Sequence, residues 1–110
     1  MLDVMATLNP IRMTDYVKAV LGDIDRCAAG CTIAAPGTDQ AEILDQIHTL
    51  KNALVPLGSQ ELLKACERLR SDTCHGVDRV LIERRYQAVA HAAARLVRKF
   101  GETIPKTQRG

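Results

Sequence analysis

The chain has 110 residues, 46% of them hydrophobic and 25% charged, with 7 glycines and 4 prolines. That balance excludes a disordered or collagen-like chain and leaves room for one domain. The net charge of +2 is too small to hold DNA or a membrane surface by bulk electrostatics. Two tyrosines, one phenylalanine and no tryptophan give almost no stacking platform for single-stranded nucleic acid. No apolar run is long enough to span a bilayer.

Taken in order, segment 1–13 carries Asp3 where an export signal has positive charge, and Pro10 interrupts its apolar stretch. No secretory signal is read there, and residues 3–9 suit a short extra helix. Thr14 is the expected N-cap of a helix over 14–29, with Val17, Val20, Leu21, Ile24, Cys27 and Ala28 on one face and Gly30 as its C-cap. A second helix over 39–57 begins after Thr38, with Glu42 near its positive end. Its stripe is Ile43, Ile47, Leu50, Leu54 and Leu57. Pro56 has no N–H for the carbonyl of Asn52, so the last turn is expected to loosen, and Gly58 ends the helix.

A third helix over 59–70 starts at Ser59 and points Leu62, Leu63, Cys66 and Leu69 inward; a loop over 71–76 follows. The fourth, over 76–100, repeats Val77, Val80, Leu81, Ala88, Val89, Ala92, Leu96 and Phe100 at helical spacing. Gly101 and Pro105 stop it, and 101–110 reads as a frayed tail. No stretch alternates usefully with period two. Four amphipathic helices on short loops bury best as an antiparallel four-helix bundle, so the expected class is all-α with one domain.

The four cysteines, Cys27, Cys31, Cys66 and Cys74, read as reduced thiols of a cytoplasmic protein. Cys27 and Cys66 fall on apolar stripes. The Cys27-x3-Cys31 spacing lacks the two-residue gap of a zinc knuckle, so no metal site is expected.

One stretch of the second helix is chemically distinctive. At about 100° per residue, His48 falls at the edge of the apolar stripe. Lys51 lies one turn along on the same flank, within side-chain reach. Leu44 and Val55 lie above and below as an apolar rim. A neutral imidazole is a good nucleophile near neutral pH. A phosphoryl group on it would carry about two negative charges, which Lys51 would stabilise along with the transferring oxygens. A lone histidine at a stripe edge is, by itself, most often a surface or packing residue.

Residues 44–70, LDQIHTLKNALVPLGSQELLKACERLR, resemble the core of a histidine-containing phosphotransfer (HPt) domain. The family pattern is His-x-x-Lys-Gly, a short spacer, a glycine, and a second amphipathic helix with a small residue or cysteine inside it. His48, Lys51 and Gly58 match in register, and Leu62, Cys66 and Leu69 match the following helix. The resemblance implies a four-helix bundle of this size, monomeric, without kinase or ATPase activity and without a cofactor of its own. It implies that His48 Nε2 takes a phosphoryl group from a response-regulator receiver domain or a hybrid sensor histidine kinase and passes it to another receiver aspartate. Lys51 would support the phosphoryl group, and Mg²⁺ would sit on the receiver alone.

Two positions depart from the family. Asn52 stands where the family has glycine, one turn after His48, and would crowd or hydrogen-bond the imidazole. Arg70 stands where a glutamine often bonds the histidine, and would hold the phosphoryl group or be solvated. Asn52 motivates an alternative, a non-transferring adaptor that binds a receiver or sensor kinase through Leu44, His48 and Val55. A kinase dimerisation bundle is disfavoured, because Thr49 stands where such kinases place an acidic residue directly after the histidine. Arg84, Arg85, Arg95, Arg98 and Lys99 give the last helix a basic side, either solvated or a dock for an acidic partner. His75 and His91 read as surface or packing residues.

Overall fold

The computed structural model describes residues 10–103. The short helix expected over 3–9 and most of the predicted tail lie outside these residues. Four helices follow one another: α1 (Pro10–Ala29), α2 (Gln40–Leu54), α3 (Gln60–Cys74) and α4 (Arg79–Gly101). No strand occurs among the described residues. α1 packs on α2 and α4, and α3 packs on the same two from the other side. The result is the antiparallel four-helix bundle that the stripes require. No described helix is long and apolar enough to cross a membrane.

α2 forms as its sequence dictates. Asp39 caps it by accepting the Glu42 N–H at 2.8 Å. Ile43, Ile47, Leu50 and Leu54 are all buried. At Pro56 the α-helical ladder gives way to a 3₁₀ turn over Val55–Leu57, and Gly58 closes it at φ +69 with its N–H on the Val55 carbonyl at 3.1 Å. Only glycine takes that left-handed conformation without strain. Ser59 then caps α3, its hydroxyl oxygen accepting the Leu62 N–H.

Several boundaries and faces differ from the sequence reading. α1 starts at Pro10, not Thr14, since proline is welcome in a first turn where its missing N–H has no partner to lose; this brings Met13 into the core. α2 starts at Gln40, with Asp39 as its N-cap. Thr38 is buried, with its hydroxyl donating to the Thr32 carbonyl at 2.8 Å. α3 continues through 71–74, where the sequence predicts a loop. Its buried Thr73 returns its hydroxyl to the Leu69 carbonyl at 2.9 Å, and Asp72 pairs with Arg85 of α4 at 2.7 Å.

α4 turns a different face inward. Ile82, Tyr86, Ala90, Ala93, Ala94 and Val97 are buried, while Val80 and Leu96 of the predicted stripe are 52% and 43% exposed. Tyr86 fixes that rotation. It is the largest fully buried side chain, and its hydroxyl donates to the carbonyls of Cys27 in α1 and Gln46 in α2, each at 3.4 Å. Burial drives its phenol well above the usual tyrosine range, so it stays protonated and a donor.

Candidate functional site

The buried stripe of α2 decides what its other side presents. With Ile47, Leu50 and Leu54 held in the core, His48 is exposed, Leu44 and Lys51 are half-buried, and Val55 is 53% exposed. The His48 ring makes no hydrogen bond or ion pair among the described residues. It borders an open groove between α2 and α3. From α2 the groove takes Leu44, His48 and Lys51; from α3 it takes Cys66, Glu67 and Arg70. His48, Lys51, Arg70 and Leu44, all singled out in the sequence, therefore meet in one place.

The electrostatics of the groove centre on a residue that the sequence reading did not single out. Glu67 Oε1 accepts a hydrogen bond from Lys51 Nζ across the two helices. Its other oxygen lies 3.9 Å from Arg70 Nη1, too long for a hydrogen bond but close enough for attraction. The hydrogen bond from Lys51, and then its charge, hold the Glu67 carboxyl below its ordinary value of 4.5; Arg70 adds less. Beneath them Cys66 is buried, and burial pushes its thiol up to about 11. It is a packing residue there and not a nucleophile. The local signal for Glu67 is its position three residues before Arg70, one turn along the same helix.

Asn52 and Gly58 sit apart from this groove. Asn52 is exposed and lines the neighbouring groove between α1 and α2, with Asp23, Arg26, Thr49 and Tyr86. It makes no hydrogen bond to His48. Gly58 shapes the turn that reverses the chain from α2 into α3, and so sets the two walls of the groove against each other.

The remaining candidates have local explanations. His75 caps the end of α3, with Nδ1 2.7 Å from the Ser71 carbonyl. His91, Arg95 and Arg98 line a groove between α1 and α4 together with Asp25, so that part of the basic side belongs to a different face from His48. The four thiols are free: Cys66 is buried, Cys27 and Cys31 are half-buried, and Cys74 is exposed. Among the described residues no three His, Cys, Asp or Glu side chains gather as a metal ion would need. Neither a scan of protein-family models nor searches of curated proteins and of solved structures gives a match to this chain.

Proposed function

We propose that this protein is a histidine phosphotransfer carrier, in which His48 relays a phosphoryl group between receiver-domain aspartates of a multistep His-Asp signalling pathway. The observation that carries this reading is an exposed imidazole, without a partner among the described residues, on a groove lined by two cations, Lys51 and Arg70. With its proton on Nδ1, the ring offers the Nε2 lone pair. The O–P bond of an aspartyl phosphate breaks as the Nε2–P bond forms. The electron pair leaves with the aspartate carboxylate, and the Nδ1 proton passes to solvent. Lys51 and Arg70 offset the charge that arrives. The partner is a cytoplasmic receiver domain, which brings its own Mg²⁺, and the half-buried Leu44 and exposed Val55 give it apolar surface to cover. The carrier needs no nucleotide, cofactor or second copy of itself.

The adaptor alternative drew on Asn52 obstructing the ring. Asn52 lines the other groove and makes no hydrogen bond to the ring, which supports transfer over the adaptor. Incubation with a phosphorylated receiver domain tests the proposal. Acid-labile, alkali-stable label is expected on the wild-type chain and not on His48→Gln. Label that persists on His48→Gln, or binding of the receiver without any label, refutes it.

A further inference from the structure

The Lys51 ammonium is not free in the resting chain: it donates to Glu67, whose other oxygen lies 3.9 Å from Arg70. We propose that Glu67 is a positioning residue, the resident counter-ion that holds Lys51 and Arg70 until an incoming phosphoryl group displaces its carboxylate. This inference rests on the transfer reading of His48 and deepens it.

Three features support the exchange. Glu67 is bidentate in charge if not in hydrogen bonding, with one oxygen on Lys51 and the other 3.9 Å from Arg70. It comes from α3, the helix opposite His48, so swinging it outward gives up only its hold on Lys51 and Arg70. Its side chain is 47% exposed and that of Lys51 37%, so the pair is screened by water and weak enough to exchange; a fully buried pair would be locked in place. The other carboxylate lining the groove, Asp45, forms no ion pair among the described residues and does not compete for Lys51.

A phosphoryl group on Nε2 brings about two negative charges against the single charge of the carboxylate. It therefore outcompetes Glu67 for Lys51. Once it has done so, Glu67 faces a like charge and turns to solvent.

Potassium phosphoramidate loads histidine without a partner protein. Its P–N bond breaks as the Nε2–P bond forms, ammonia leaves with the electron pair, and the Nδ1 proton goes to solvent. Loading of the full chain is followed by phosphorus NMR for wild type, Glu67→Gln, Lys51→Met and the double variant. Glu67→Gln is expected to load about two- to fivefold faster, the range of an exposed ion pair, and the gain is expected to vanish in the Lys51→Met background. In the unloaded chain, carbon NMR should find the Glu67 carboxyl titrating below its ordinary range and returning upward in Lys51→Met. No gain, an equal gain without Lys51, or a Glu67 titration indifferent to Lys51 overturns the counter-ion role while leaving transfer at His48 standing. Loading unchanged in His48→Gln overturns the transfer reading, and the counter-ion role falls with it.

Discussion

The same substitution, glycine to alanine, is expected to have opposite effects at two places in this bundle. Gly58 sits at φ +69, ψ 16, and a Cβ placed there meets nothing within 4 Å. Steric contact therefore adds nothing, and the cost is the left-handed backbone alone, about 1–2 kcal/mol for an L side chain. Against it runs the conformational freedom that alanine removes from the unfolded chain, worth about 0.4–1 kcal/mol in favour of the fold. The difference leaves Gly58→Ala destabilised by about 1 kcal/mol. Gly22 lies inside α1 without a positive φ. Its added Cβ would meet only the Arg26 guanidinium at 3.4 Å, the movable end of an exposed side chain. Gly22→Ala is therefore expected to stabilise the fold by about 0.5–1 kcal/mol. Urea unfolding followed by far-UV circular dichroism resolves both changes, since with a slope of about 1–3 kcal/mol/M a change of about 1 kcal/mol moves the midpoint by about 0.3–1 M. A Gly58→Ala chain as stable as wild type would mean that residue 58 does not hold the left-handed turn, and the geometry argued for the α2–α3 junction would be wrong.

The face of α4 is checked by a pair of truncations. Ile82→Ala, at 1% exposure, should cost about 2–5 kcal/mol in the same urea experiment, whereas Leu96→Ala, at 43%, should stay within about 0.5 kcal/mol; similar costs would restore the Leu96 stripe as core. The thiols should alkylate in an order set by burial. At pH 8 Cys74 should react first, the half-buried Cys27 and Cys31 more slowly, and Cys66 last. Burial raises the pKa of the latter three. A raised thiol pKa favours the unreactive protonated form, so Cys66 should stay largely unmodified in the folded chain until the pH nears its value of about 11. Mass-mapped alkylation that finds Cys66 as fast as Cys74 would show that α2 and α3 do not close over it.

How much of the bundle is legible depends on how sharply each helix separates its faces. α2 alternates its stripe with polar residues, so Ile43, Ile47, Leu50 and Leu54 can face only one way, and Pro56 and Gly58 act through the backbone itself. α4 offers apolar or small residues on several faces, and Ala88 and Ala92 look the same in sequence as Ala90, Ala93 and Ala94. What chooses between them is Tyr86, whose phenol needs both deep burial and a carbonyl to bond, and finds two on other helices. The end of α3 was obscured for a related reason. Ser71, Asp72 and Thr73 read locally as a loop, but Thr73 satisfies its hydroxyl within its own helix and Asp72 is paired from α4. Partners that arrive from another helix are invisible to a reading taken along the chain.

The same distinction governs the candidate site. His48 and Lys51 are three residues apart on one helix, so their proximity follows from helical geometry alone. Asn52 is also within one turn of His48, yet the two line different grooves, because α1 and α3 divide the exposed side of α2 between them. Which groove a residue serves is a property of the neighbouring helix. Glu67 makes the point most strongly. Counting the formal charges of the carboxylates and cations alone, Asp45 and Glu67 balance Lys51 and Arg70 in the groove beside His48. Such a groove presents no strong standing field to draw any passing anion in. On the proposed mechanism it becomes a phosphoryl site only by rearrangement, when a doubly charged group arrives and the carboxylate yields its place. The imidazole and its lysine name the chemistry; whether that lysine is available to it is decided from the facing helix.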